Sequence, residues 1–170
     1  MKKFILLFLF FFSFNIGKTQ SVLCNPVADE RECLYAYVAL KEFIDDSNVV
    51  VIFNGMEPLH EAFNGLTWQY NKNLYVVSIA PYEKNPFKRI WIIFHEIGHV
   101  IDLYHGELTQ FPTTWKGKPV DENLPWDERP WEANADKWAY RIWRRVLEED
   151  PPFIPNLNMV HPHENNCINH

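Results

Sequence analysis

His95-Glu96-Ile97-Gly98-His99 constrains this chain more than any other stretch. It lies inside a long segment of helical apolar periodicity. Residues four apart share one face of an α-helix, so both imidazoles can point at a single metal ion. In catalytic sites zinc lowers the pKa of a bound water to about 7. Glu96, one residue after the first imidazole, is placed to take that water's proton as it attacks a carbonyl. The pattern therefore predicts a zinc ion held by His95 and His99, with Glu96 as general base. The plain alternative is two surface histidines on an ordinary helix. It is weakened by the helical context and by a suitable acid downstream.

The 170 residues suffice for one domain with a real core but not for two. Residues 1–19 read as a leader rather than as part of that domain. Lys2 and Lys3 precede an apolar run from Phe4 to Ile16, too short for a comfortable transmembrane span and suited to a secretory signal cleaved near Gly17 to Ser21. The expectation is a secreted or periplasmic protein with no stable membrane insertion after cleavage. An uncleaved membrane anchor is the alternative. Residues 1–19 hold three of the 16 basic residues and none of the 22 acidic ones, so 13 against 22 leaves the mature chain at −9. That balance argues against nucleic acid as a partner. Three cysteines remain, and in an oxidising compartment one pair should be bridged. Cys24 with Cys33 closes the shorter loop, and Cys33 with Cys167 would tie down the tail. Sequence leaves the pairing open.

In the mature region, 20–170, the periodicity predicts a helix over Asp29–Asp46 and a buried strand over Val49–Phe53. A helical turn is expected over Glu57–Phe63, with His60 as a surface residue. Leu66–Tyr70 and Leu74–Ile79 read as an antiparallel hairpin around Asn71-Lys72-Asn73. Asn85-Pro86 joins an N-cap acceptor to a proline at the first helical position, which starts a core helix running to about Tyr104. Gly98 inside it costs about 1 kcal/mol against alanine, and would allow another backbone to approach closely. Residues 106–129 should be irregular, with one hairpin at Trp115-Lys116-Gly117-Lys118. Pro130 opens a last helix to about Glu149, and from about 151 the tail is rich in proline and asparagine.

Catalytic zinc takes three protein ligands and leaves a fourth position open. Glu132 is the preferred third ligand, because Asp136 lies one helical turn on and can accept a hydrogen bond from a ligand imidazole. His105 is the rival, six residues after His99, the spacing of an extended HExxHxxGxxH motif. Asp102 stands there where glycine would make the turn. Glu128 is a third candidate, and Met159 could serve as a Met-turn residue or as core filler. Asp102 is either a solvated helix-end acid or a hydrogen-bonding partner of His99.

Residues 90–143 resemble a small zincin of the gluzincin type, in which HExxH on one helix is completed by the glutamate of an ExxxD motif on a later helix. The ligand logic is similar to that of thermolysin-like peptidases, and the size to that of the compact ImmA/IrrE-type peptidases. Trp131-Glu132-Ala133-Asn134-Ala135-Asp136 resembles the Glu-Ala-Asn helix of the latter. The Trp-Lys-Gly-Lys hairpin and Pro-Trp-Glu resemble stretches of small metallopeptidases of bacteria and phages. The resemblance implies His95, His99 and Glu132 as ligands of one Zn2+ ion, Glu96 as base and Asp136 as orienting partner. It also implies an α+β, zincin-like fold with a short, mostly antiparallel sheet, whose edge strand lines the cleft and pairs with an extended substrate. Leu74–Ile79 is the natural match for that strand. The leader departs from the cytoplasmic repressor-cleaving relatives, so their regulatory role is not carried over.

The expected function is that of an exported zinc-dependent endopeptidase acting on protein or peptide substrates. Tyr75, Tyr104 and His105 are candidate donors to the transition state. The alternative is a non-catalytic zinc-binding or envelope- or glycan-binding module on the same fold. For such a module Trp68, Trp115 and Trp126 could form the cleft, while Trp91, Trp131 and Trp138 fall at core positions. His161, His163, Cys167 and His170 read as a polar tail.

Overall fold

The computed structural model describes residues 21–25, 28–55, 64–121 and 123–149. The leader, Glu57–Phe63 with His60, and the tail with Met159, Cys167 and its histidines lie outside the described residues.

The chain is α+β. A first sheet contains β1 (Ser21–Cys24), β2 (Val50–Gly55), β3 (Gly65–Asn71) and β4 (Leu74–Ile79), in the order β1-β2-β4-β3. Helix α1 (Glu30–Phe43) joins β1 to β2. Its cap is Asp29, whose carboxylate accepts from the Arg31 N–H at 2.8 Å, with Glu30 and Glu32 favourable in the first turn. The helix stops at Phe43, short of Asp46. Ile44 swings into extended backbone and is buried, and Asp46 folds back to accept from the Asn48 N–H at 2.9 Å. Cys24 and Cys33 form a disulfide that staples β1 to α1.

The mostly antiparallel sheet expected from the sequence is corrected to a mixed one. β1–β2 and β2–β4 pair in parallel, and only β3–β4 is antiparallel. For β1–β2 the reason is the connection through α1. A helix between two strands returns the chain in the same direction, and parallel pairing follows. β1 itself escaped the sequence because four residues, Ser21-Val22-Leu23-Cys24, are too few to show an alternating pattern. Leu74–Ile79 is also not the edge strand expected from the sequence. β4 is flanked on both sides, so Leu74–Ile79 offers no free edge; β3 is the outer strand packed on α2.

Helix α2 (Pro86–Tyr104) starts where Asn85 Oδ1 accepts from the Phe87 N–H at 3.0 Å. Ile93, Phe94, Ile97, Val100 and Ile101 are buried between the sheet and α3 (Pro130–Glu149). Buried Arg89 ties α2 to α1 through Glu32 and to the end of β4 through the Ala80 carbonyl at 2.6 Å. At Gly98 the two helices come close. A Cβ there would lie 2.9 Å from Trp138 Cβ and 3.1 Å from Ala135 Cα, so this glycine is what lets α3 approach the motif.

The expected irregular stretch contains a small antiparallel sheet, β5 (Leu108–Gln110), β6 (Thr113–Trp115) and β7 (Lys118–Pro119). Lys116 and Gly117 both have positive φ, 50° and 74°, as a two-residue turn matched to strand twist requires. Among the described residues no helix is long and apolar enough to cross a membrane.

Candidate metal centre

His95 and His99 lie one turn apart on the inner half of α2, with ring centroids 4.8 Å apart, and both are buried. The first turn of α3 brings buried Glu132 against them. Its Oε2 is 3.1 Å from His95 Nε2 and 3.3 Å from His99 Nε2, and the three ligand atoms all lie within 4.8 Å of one another. A tetrahedral zinc with bonds of about 2.0–2.1 Å holds its ligands roughly 3.3 Å apart, so two of the three separations already match. Two imidazole nitrogens and one carboxylate oxygen also suit manganese, iron or nickel. The group can hold a metal ion.

His95 Nδ1 faces Asp136 Oδ1 at 2.9 Å, and the Trp126 ring stacks on the same imidazole at 6.1 Å and 21°. Burial alone would lower the His95 pKa. The hydrogen bonds to Asp136 and Glu132, with the nearby Glu96 charge, instead raise it to about 10. Burial alone would raise the Glu132 carboxyl, but His95 and His99 pull it down to about 2. In the metal-free protein the two shifts have opposite consequences for stability. The His95 contribution is full below its ordinary value of 6.5 and is lost as pH rises through about 10. The Glu132 contribution is present above its ordinary 4.5 and is lost as pH falls towards about 2.

A metal needs a neutral imidazole, so it must expel the His95 proton at neutral pH. Calorimetric titration of the metal-free protein with zinc at pH 7, in buffers of different ionisation enthalpy, should show about one proton released per ion from this group. Affinity should strengthen with pH, up to about tenfold per unit for that proton, until pH approaches the His95 value. Binding without proton release would contradict the His95 assignment.

Glu96 is not part of the triad. The Thr67 hydroxyl donates to its Oε2 at 2.6 Å. Gly65 sits so close that a Cβ there would be 2.4 Å from Oε1. Strand β3 thus forms a seat for this carboxylate. Sequence reasoning missed both residues. The available signal was their spacing, since residues two apart share a strand face. That signal becomes legible only once β3 is known to pack on α2.

Asp102, buried one turn beyond His99, makes no hydrogen bond to it, and His99 Nδ1 has no hydrogen-bond partner among the described residues. Asp102 instead accepts from Asn134 Nδ2 at 2.8 and 3.0 Å and from Trp138 Nε1 at 2.8 Å, strapping α2 to α3 two residues from Glu132. Burial raises its pKa, against the pull of these donors. His105 caps the end of α2, exposed, with its ring against Tyr104; neither it nor exposed Glu128 joins the cluster. The Tyr75 hydroxyl donates to the Lys72 carbonyl at 2.9 Å, in the β3–β4 turn.

Comparison with protein-family models, curated proteins and solved structures finds no match to this chain.

Proposed function

We propose that this chain is an exported zinc-dependent peptidase of the gluzincin type, with His95, His99 and Glu132 as ligands. One observation carries the reading. Beside a buried His/His/Glu triad stands a further buried carboxylate, Glu96, that serves no ligand role and is held by Thr67 and Gly65. A non-catalytic metal module needs the triad but not the seat.

The zinc ion, when bound, supplies a Lewis acid that polarises a carbonyl oxygen and makes water a better nucleophile. Glu96 takes the proton from the attacking water and returns it to the departing amine nitrogen. Thr67 fixes one carboxylate oxygen by its hydrogen bond, so the side chain keeps its direction through both transfers. Asp136 orients His95 through Nδ1, presenting Nε2 to the metal. An extended peptide pairs with the outer edge of β3, the strand that seats the base, rather than with β4. The apolar run behind Lys2 and Lys3 directs export.

The test is incubation of the zinc-loaded full chain with unfolded casein, with and without a strong chelator. Fragments that vanish with chelator and return with added zinc are expected; intact casein throughout would overturn the proposal. Gly65→Ala gives a sharper prediction. Its methyl group would force the Glu96 carboxylate aside, and misplacing a reacting group by about 1 Å can cost about a hundredfold in rate. Metal content should stay unchanged. Full activity in this variant, measured on casein with zinc analysis of the same sample, would show that the seat has no catalytic role.

A further inference from the structure

The outer edge of β3 is closed over part of its length by a side chain. In β3 the even-numbered residues pair with β4, as the Ala80 N–H bonded to the Asn64 carbonyl at 2.9 Å shows, so Gly65, Thr67 and Gln69 turn their backbone outward. The Gln110 amide meets that edge with two bonds. Its Oε1 accepts from the Gln69 N–H at 2.9 Å, and its Nε2 donates to the Thr67 carbonyl at 2.9 Å. A primary amide can do this because its oxygen and one N–H point the same way, whereas those of a trans peptide group point apart.

The element carrying Gln110 is braced. Thr109 Oγ1 donates to the Pro112 carbonyl at 2.6 Å and lies 2.9 Å from the Thr114 hydroxyl, tightening the β5–β6 turn. Next in the turn, the Phe111 ring packs on Trp68 of β3, with centroids 5.2 Å apart. Hairpin and strand are therefore fastened through both backbone and rings. The closed stretch begins at the Thr67 carbonyl. In the stretch before it Glu96 lies on the sheet face, against the Cβ direction of Gly65 and bonded to the Thr67 hydroxyl.

Resting on the peptidase reading above, we infer that Gln110 is a specificity-determining residue that ends the substrate edge at Thr67. A peptide pairs beside Gly65, next to the catalytic carboxylate, and must leave the strand or break both Gln110 bonds to run on past Thr67. Substrate length is thereby limited on the Gln110 side of the cleaved bond, and among the described residues no such bond closes the other.

The experiment uses the zinc-loaded full chain and a peptide spanning one bond that it cleaves in unfolded casein. The peptide is lengthened by two and by four residues at either end in turn. In the wild type, lengthening at one end should raise KM about tenfold, the scale of losing two hydrogen bonds, while lengthening at the other does not. Gln110→Ala should remove that asymmetry and accelerate deuterium exchange at the Gln69 amide. Gln110→Glu keeps the acceptor for Gln69 and loses the donor to Thr67, so it should fall between them. A merely structural role would lower kcat at every length alike. The same length dependence in wild type and both variants overturns the role of Gln110, as does equal tolerance at both ends in the wild type. A wild type that cleaves no casein overturns the peptidase reading itself, a separate result.

Discussion

Glu96→Gln is expected to lower casein hydrolysis by about 10²–10⁴-fold, the usual contribution of a positioned general base, while leaving metal content unchanged. The substitution suits the site. Glutamine has the size of glutamate, and its amide oxygen can still accept the Thr67 hydroxyl that lies 2.6 Å from Glu96 Oε2. The close contact with Gly65 also persists. What is lost is the ability to take a proton from water and return it to the leaving amine. Initial rates and zinc analysis on one preparation separate the two properties. Residual activity above a tenth of wild type would remove Glu96 from the proposed mechanism.

Zinc affinity should fall in a graded order across α3. Asp136→Ala removes the partner of His95 Nδ1, and loss of such an orienting carboxylate costs about 10–100-fold in affinity. Glu132→Ala removes a ligand oxygen outright and should cost more than the upper end of that range. It also leaves His95 and His99 buried without the carboxylate now 3.1 and 3.3 Å from their Nε2 atoms. Competition titration against a chromogenic chelator reads both variants. Equal affinities for Glu132→Ala and Asp136→Ala would mean that Glu132 is not a ligand.

Local signals made the helices legible. Asn85-Pro86 marks the start of α2, Pro130 that of α3, and four-residue spacing places His95 with His99 and Glu132 with Asp136 on common faces. Gly98, conspicuous as a cost to helix propensity, is accounted for by the approach of Ala135 and Trp138. The remainder depends on tertiary contact. Parallel pairing of β1 with β2 needs the whole crossover, and no residue of Ser21–Cys24 announces it. Asp102 has the composition of a helix-end acid, and only the packed helices show it bound to Asn134 and Trp138. Thr67 and Gln110 are ordinary strand residues by sequence. Their roles come from which strand lies at the sheet's edge.

In the proposed enzyme α2 and α3 together form one metal site. Zinc content per polypeptide, measured on the purified full chain after dialysis, tests it most directly when wild type, Glu132→Ala and His105→Ala are compared. One zinc per wild-type chain is predicted, retained by His105→Ala, whose backbone N–H caps α2 and whose ring lies outside the cluster, and lost by Glu132→Ala. A wild type without bound metal, or loss of zinc in His105→Ala alone, would rule out this site.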